Sequence, residues 1–184
     1  MARVLVPLAQ GCEELEAVTV IDLLRRAGID VVTAGLDDQA VTASRGVRLI
    51  PDALLADVME EDFDMIVLPG GLPGADHLDE DDRIRALLTS MSQSGRYTAA
   101  ICAAPKVLAS AGLLEGKSAT SYPGIINAME LETTEVLEDP VVIDGKIVTS
   151  RGPGTAMDFA LVLIEQLVGP EKRHEVEKAL VRPA

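Results

Sequence analysis

Short apolar runs of strand length alternate along this chain with segments whose apolar residues recur at helical spacing. Val4–Leu8 is followed by a helical pattern that extends to about Ala27, and Ile29–Ala34 is a second apolar run. Met65–Leu68 and Ala99–Ile101 have the same character. Runs that are apolar on both faces are typical of parallel strands covered by helices. The alternation therefore predicts an α/β fold with a mainly parallel sheet.

Other segments are predicted from their turn and capping residues. Val41–Ile50 alternates partially, which predicts an edge strand or a hairpin, and Asp52 is placed to cap a short helix. Asp79–Asp82 is predicted to begin a helix with acidic residues, and Val141–Val148 is a hairpin with a favoured Asp-Gly turn. Because no repeat or linker interrupts the pattern, residues 1–184 are expected to form one domain.

Composition and charge narrow the classes of function. The 184 residues suffice to bury a core without disulfides or structural metals. The net charge of −14 disfavours nucleic acid and anionic membrane surfaces as partners, and no apolar stretch approaches the ~20 residues of a membrane span. Two cysteines without a CxxC motif suit a reducing compartment and argue against a zinc site. The N-terminal apolar run is too short for a signal peptide, so we expect a cytoplasmic protein.

Cys102 falls on the predicted turn between a strand ending at Ile101 and a helix beginning at Pro105. The alanines around it allow a tight backbone bend, which is the arrangement of a nucleophile at a strand-to-helix elbow. The N-terminus of the following helix would favour a thiolate over a thiol. An unpaired cysteine after an apolar strand is also often a small core residue, so these residues alone leave both interpretations open.

Glu16 lies at the head of the apolar stripe of the first predicted helix, on one face with Val20, Leu23 and Leu24. A buried carboxyl group without a partner tends to hold its proton, because desolvation raises its pKa. Most glutamates at a stripe edge instead reach water. Its place at the carboxyl edge of a parallel sheet, where α/β folds put their sites, favours a functional carboxyl group.

A glycine-rich loop, Pro69–Gly74, follows the strand Met65–Leu68. The adjacent Gly70 and Gly71 allow backbone conformations that direct N–H groups at a ligand. The loop lacks the glycine spacing and the lysine and serine of a phosphate-binding loop, so it is a weak match to one. Half of an oxyanion hole is a plausible function, and an ordinary tight turn is the simpler alternative.

Five motifs that occur in order along the chain resemble the DJ-1 branch of the DJ-1/PfpI superfamily. The five motifs are Glu13–Val18, Ser44-Arg45, Leu68–Gly71, Ala99–Pro105 and Thr149–Thr155. AAICAAP and TSRGPGT are specific, whereas PGG alone is not. The resemblance covers nearly the whole chain and implies a flavodoxin-like, doubly wound sheet sandwiched between helices, usually as a homodimer.

The resemblance also implies roles for particular residues. It makes Cys102 the nucleophile and Glu16 its hydrogen-bonded acid/base partner. Backbone N–H groups of the Gly70-Gly71 loop and of Ala103 are implied to stabilise an oxyanion. Outside this centre, Glu13 and Arg45 match positions that meet across the dimer interface, and Pro153 matches a residue that lines the pocket from the partner subunit.

The function implied is cysteine-dependent and needs no metal or cofactor. A small reactive dicarbonyl such as methylglyoxal would be converted to a hydroxy acid, and the same chemistry on a glyoxal-modified side chain would be a deglycase activity. The alternative is an oxidative-stress sensor or chaperone whose Cys102 is oxidised to a sulfinate.

Two departures from the family pattern bear on these expectations. The PfpI protease branch has a histidine after the cysteine, where this chain has Ala103. With only His77 and His174 elsewhere, peptidase activity is not expected. Tyr122 stands where some DJ-1 proteins have a histidine.

Cys12 could form a disulfide with Cys102 only if their Cα atoms approach within ~7 Å, and a small turn residue is the favoured interpretation of Cys12.

Overall fold

The computed structural model describes residues 1–182, and its centre is a seven-stranded sheet with the order β10-β11-β7-β6-β1-β2-β5. The eleven strands, in chain order, are β1 Arg3–Leu8, β2 Asp30–Gly35, β3 Val41–Thr42, β4 Arg48–Leu49, β5 Ala53–Leu54, β6 Met65–Leu68, β7 Tyr97–Ile101, β8 Ser118–Ala119, β9 Glu135–Val136, β10 Val141–Asp144 and β11 Ile147–Ser150. Within the large sheet only the β10–β11 pair is antiparallel. The prediction of a mainly parallel, doubly wound α/β fold is therefore confirmed.

Helices cover both faces of this sheet. They are α1 Glu14–Arg26, α2 Leu55–Val58, α3 Gly74–Glu80, α4 Asp82–Gln93, α5 Pro105–Ser110, α6 Ala156–Val168 and α7 Pro170–Ala179, with short 3-10 turns at Ile126–Ala128 and Pro153–Thr155. Successive residues of β1 point to opposite faces, so Val4 and Val6 pack under α1 and α6, whereas Leu5 packs in the layer of α4 and α5. This double burial explains why the central strands are predominantly apolar on both of their faces.

The segment Val41–Ile50 is the first correction to the sequence prediction. It is a hairpin, but its strands β3 and β4 form a separate two-stranded sheet instead of extending the large one. The edge position belongs to β5, and Asp52 does not cap α2. Its carboxylate accepts hydrogen bonds from the Thr33 backbone N–H at 3.0 Å and from Arg25 at 2.7 Å. Asp52 thus fastens the chain entering β5 to β2.

The segment after β6 is the second correction. The predicted helix that begins at Asp79–Asp82 is α4, which starts at Asp82, and the sequence analysis missed α3, which precedes it at Gly74–Glu80. Asp81 caps α4 by accepting a hydrogen bond from the Arg83 backbone N–H at 2.9 Å. Gly74 approaches the Cys12 backbone so closely that a Cβ there would lie 2.6 Å from the Cys12 Cα. This close approach brings the glycine loop against the β1–α1 turn.

Among the described residues, no helix combines the length and the apolar character needed to cross a bilayer.

Candidate active site

Cys102 occupies a backbone conformation that few residues other than glycine adopt, with φ of +64°. Neighbouring backbone groups hold it there: its N–H donates to the Ser150 carbonyl at 3.0 Å, and its own carbonyl accepts from the Tyr122 N–H at 2.8 Å. A non-glycine residue in this region is strained, and it persists only because the surrounding structure fixes it. The structure therefore builds the strand-to-helix elbow that the alanine-rich sequence predicts.

Glu16 lies on the first turn of α1 and is fully buried, with 0% of its surface exposed. Its Oε2 accepts a hydrogen bond from the Gly70 backbone N–H at 2.9 Å, its Oε1 has no hydrogen-bond partner among the described residues, and the Cys102 thiol is close enough to lower the pKa of the carboxyl group. A Cβ on Gly70 would lie 2.6 Å from Cys102 Cβ and 2.8 Å from Glu16 Oε2. The cysteine and the glutamate thus meet across a glycine, which leaves space for both.

Burial raises the pKa of Glu16 from its ordinary 4.5 to about 7, although the hydrogen bonds from Cys102 and from the Gly70 N–H act in the opposite direction. A carboxyl group whose pKa is near neutrality can both accept and return a proton at physiological pH. Most glutamates at the edge of an apolar stripe reach solvent, but Glu16 does not.

The pKa of Cys102 contradicts the expectation of a free thiolate. Burial, together with the charge of Glu16 and the hydrogen bond to its carboxylate, raises the pKa of the thiol to about 12. The backbone N–H groups of Gly71 and Ala103 lower it, but they do not prevail. The following helix α5 has only six residues, and its N-terminus acts beside a buried carboxylate. At a pH between these two pKa values, the pair of groups holds one proton. Moving that proton from the sulfur to Glu16 creates the thiolate.

The two glycines of the loop have different roles in the structure. Gly71 has a φ of +87° and directs its N–H at the Cys102 sulfur, as Ala103 does from the other side. The N–H of Gly70 is already bonded to Glu16 Oε2. Gly70 is therefore not a free oxyanion donor, which corrects the sequence interpretation. The donors that remain at the sulfur are Gly71 and Ala103.

Gly71→Ala is expected to destabilise the protein by at least ~2 kcal/mol, because the added Cβ would overlap the Glu13 backbone nitrogen in a crowded turn. Gly124→Ala is a matched control, since Gly124 has a similar φ of +84° but nothing within 4 Å of a Cβ. The control should lose only the cost of the left-handed backbone, roughly 1 kcal/mol. Urea unfolding of both variants measures the difference, and equal losses would contradict the packing argument.

A pocket of about 340 Å³ opens above Cys102. Four further residues that the sequence interpretation placed at the site line it: Glu13, Arg45, Tyr122 and Pro153. The resemblance implied that Pro153 reaches the pocket from a partner subunit. In this structure Pro153 lies on the pocket of its own chain, because it follows β11, whose Ser150 accepts the Cys102 N–H.

The sequence interpretation missed several residues that shape this pocket. Leu72, which belongs to the Pro69–Gly74 loop, and Ile125 line it, and the sequence gives no sign that their side chains face the pocket. Glu14 is buried and accepts hydrogen bonds from the Arg45 backbone N–H at 2.9 Å and from the Ser44 hydroxyl at 3.1 Å. It thereby fixes the β3–β4 turn that carries Ser44 and Arg45 to the pocket. For Glu14, the only signal in the sequence was its place in the Glu-Glu-Leu-Glu run.

The remaining candidates lie outside this centre. Cys12 is unpaired, has 0% exposure, and does not line the pocket. Burial, reinforced by Glu14, raises its pKa to about 12. His77 contacts the Gln10 carbonyl through Nδ1 at 2.9 Å, and His174 is exposed on α7. Across residues 1–182, no group of three or more His, Cys, Asp or Glu side chains is arranged to hold a metal ion.

The fold and this centre define a class of protein: a doubly wound, flavodoxin-like α/β protein with a cysteine on a strand-to-helix elbow and a buried carboxyl group beside it. Residues 2–166 match the model of the DJ-1/PfpI family, and the chain belongs to that family.

The relatives with curated descriptions fall into two groups by length. The chain is 48% identical over 178 residues to the protein dj-1beta of Drosophila melanogaster, covering 96% of this chain and 95% of that one. It is 38% identical over 179 residues to a Caenorhabditis elegans protein named glutathione-independent glyoxalase DJR-1.2, covering 97% and 95%. It is 46% identical over 180 residues to protein DJ-1 homolog A of Arabidopsis thaliana, where it covers 97% of this chain but 46% of the relative. The chain thus spans about half the length of the plant relative.

Solved structures agree with the fold throughout. The crystal structure of Drosophila DJ-1beta superposes with a TM-score of 0.95 at 46% identity, covering 100% of this chain and 99% of the other. Oxidized Toxoplasma gondii DJ-1 superposes with a TM-score of 0.94 at 40% identity, covering 100% of both chains. The resemblance to the DJ-1 branch that the sequence motifs indicate is confirmed.

Proposed function

We propose that this protein converts small 2-oxoaldehydes, such as methylglyoxal, into 2-hydroxy acids, with Cys102 as nucleophile and Glu16 as acid/base. The observation that carries the proposal is the placement of the two groups: a Cβ on Gly70 would touch both Cys102 Cβ and the buried Glu16 Oε2, and burial raises the pKa of that carboxyl group to about 7. A relative named as a glutathione-independent glyoxalase supports the same chemistry.

The first steps form a covalent adduct. Glu16 takes the proton of the Cys102 thiol, and the sulfur attacks the aldehyde carbon as the C=O double bond opens. The oxygen that becomes negative is stabilised by the backbone N–H groups of Gly71 and Ala103. Glu16 then gives its proton to that oxygen, which yields a hemithioacetal and restores the carboxylate.

The later steps move a hydrogen between two carbons without any external oxidant or reductant. The Glu16 carboxylate removes the proton from the former aldehyde carbon, and the electron pair forms an enediolate with the ketone oxygen. A proton passes between the two oxygens, and Glu16 returns its own proton to the ketone carbon, which leaves a thioester on Cys102. Water then cleaves the thioester, releasing lactate and the thiol. The aldehyde carbon is oxidised and the ketone carbon is reduced, so the reaction balances.

The test is lactate formation from methylglyoxal in the absence of glutathione, followed by NMR. Glu16→Gln should form no lactate, because a neutral amide can neither take the thiol proton nor move a proton between the two carbons. Lactate formation by Glu16→Gln at the wild-type rate would overturn the role of Glu16. Removal of glyoxal adducts from proteins would use the same residues, and a glycated peptide as substrate tests that activity.

A second candidate is redox sensing, and the difference in exposure between the two cysteines favours it. Cys102 is 9% exposed at the bottom of the pocket, whereas Cys12 has no exposure. Peroxide would oxidise the sulfur first to a sulfenic acid, and a second peroxide would give a sulfinic acid, with one water released at each step. A protonated Glu16 would then donate a hydrogen bond to a sulfinate oxygen. A stress-protective or chaperone role would rest on this form.

Mild peroxide treatment is expected to add two oxygens to Cys102 and none to Cys12. The reason is access, since both thiols have a pKa raised to about 12 by burial, but only Cys102 lines a pocket. Peptide mass spectrometry over a time course measures this, with Cys102→Ser as the control that takes up no oxygen. Oxidation of Cys12 at the same rate would remove the argument for a sensor.

We also propose a homodimer. Leu15 and Val18 expose apolar surface along α1, and Val47 and Ile50 expose more beside the β3–β4 hairpin. Within the described part of the chain, the Arg45 guanidinium has no ion-pair partner. Neighbouring apolar groups and a free cation at the edge of the pocket support a second copy covering this face.

A further inference from the structure

Several of the residues that line the pocket are apolar or aromatic. Leu72, Tyr122, Ile125 and Pro153 line it together with Cys102. Leu72 is 54% exposed and Tyr122 is 51% exposed, so both side chains offer surface to a bound molecule. The polar lining residues, Glu13 and Arg45 among them, come from the other elements around the pocket. A bound molecule whose reacting carbon is at the sulfur would therefore have apolar side chains available to its non-reacting part.

The position of Tyr122 is coupled to that of the nucleophile. The Tyr122 backbone N–H donates to the Cys102 carbonyl at 2.8 Å, and the Tyr122 carbonyl accepts from the Ile125 N–H at 3.1 Å. The ring rests against Gly152, where a Cβ would lie 3.3 Å from Tyr122 Cδ2. Gly152 has an extended backbone that any residue adopts, so its missing side chain serves to make room for the ring. The Tyr122 ring is thus held in a fixed position relative to the Cys102 sulfur.

We propose that Tyr122 is a specificity-determining residue and that it selects 2-oxoaldehydes whose ketone carbon carries an aromatic or branched apolar group. The inference rests on the proposed function, and it concerns the part of the substrate that does not react. A methyl group is too small to bury the exposed ring of Tyr122, whereas a phenyl group can pack against it and against Leu72. Discrimination by such apolar contacts is typically tenfold or more in kcat/KM.

The experiment compares phenylglyoxal with methylglyoxal as substrates of the full chain. Initial rates are taken in the first minutes, before phenylglyoxal modifies arginine side chains. We expect kcat/KM to be roughly tenfold higher for phenylglyoxal in the wild type. Tyr122→Ala should lower the ratio of the two kcat/KM values about fivefold or more, and Tyr122→Phe should preserve the ratio because it keeps the ring.

Ile143→Ala is the matched control, since Ile143 is an exposed apolar residue on β10 that does not line the pocket. It should change neither kcat/KM value. Methylglyoxal turnover without a preference for phenylglyoxal, or an unchanged ratio in Tyr122→Ala, would overturn this inference and leave the proposed function standing. Turnover of neither substrate by the wild type would overturn the proposed function and this inference with it. If Tyr122→Ala does not fold, Tyr122→His replaces it, and the ratio should fall in that variant too.

Discussion

Cys102→Ser will lower the rate of lactate formation from methylglyoxal by at least ~10³-fold, because a serine hydroxyl is a far weaker nucleophile than a thiolate at neutral pH. Glu16 has a pKa of about 7, which suffices to share a proton with a thiol but not to ionise an alcohol. The substitution keeps the size of the side chain and the hydrogen bonds of the elbow backbone, so the pocket should persist. NMR quantification of lactate over hours measures the residual rate.

Cys12→Ala is the matched control for this prediction. Cys12 is the other cysteine of the chain, it is fully buried, and it does not line the pocket. Its removal should leave the rate within about threefold of the wild type, while urea unfolding checks that both variants are folded. Turnover by Cys102→Ser at the wild-type rate, or an equal loss in Cys12→Ala, would contradict a covalent mechanism through Cys102.

The sequence predicts the parts of this fold whose signals are local. The strands β1, β2, β6 and β7 each contain an apolar run, and the elbow follows from alanines around Cys102 between a strand and a proline. Residues that pair over long distances are harder to predict. β5 has only two residues, which are too few to show a pattern. In the sequence, the β3–β4 hairpin separates β5 from its partner β2.

The electrostatics of the site could not be predicted from the same patterns. Glu16 as a buried carboxyl group follows from its place on the apolar stripe, but its contact with Cys102 came from family resemblance. The predicted thiolate was wrong in direction, because a sequence shows the helix after Cys102 and does not show how deeply the sulfur and its partner are buried. Likewise, only the structure shows that the N–H of Gly70 is bonded to Glu16 and is not free for an oxyanion.

Glu16→Gln is expected to make the protein more stable than the wild type at pH 8, by up to ~3 kcal/mol. The pKa of Glu16 is raised from 4.5 to about 7 on folding, so the folded state holds this proton more tightly than the unfolded state. The protonated Glu16 therefore stabilises the folded wild type fully below pH 4.5. This contribution is lost as the pH rises from 4.5 to about 7, and above that pH the wild type carries the cost of a buried carboxylate. Glutamine does not titrate, and its amide oxygen can still accept the hydrogen bond from the Gly70 N–H.

The measurement is the difference in free energy of unfolding between wild type and variant, taken from urea titrations at several pH values between 4 and 8. Titrations of other groups cancel in this difference unless they contact Glu16. Glu14→Gln is the control of opposite sign. The pKa of Glu14 lies below its ordinary value despite burial. The reason is that its carboxylate accepts hydrogen bonds from the Ser44 hydroxyl and from three backbone N–H groups, those of Glu14, Arg45 and Val47. The wild type should therefore gain on Glu14→Gln only up to about pH 4.5 and keep that gain above it, whereas it loses ground to Glu16→Gln between pH 4.5 and about 7. A flat difference for Glu16→Gln would mean that the carboxyl group beside Cys102 titrates like an exposed one. It could not then hold the proton that the proposed reaction transfers.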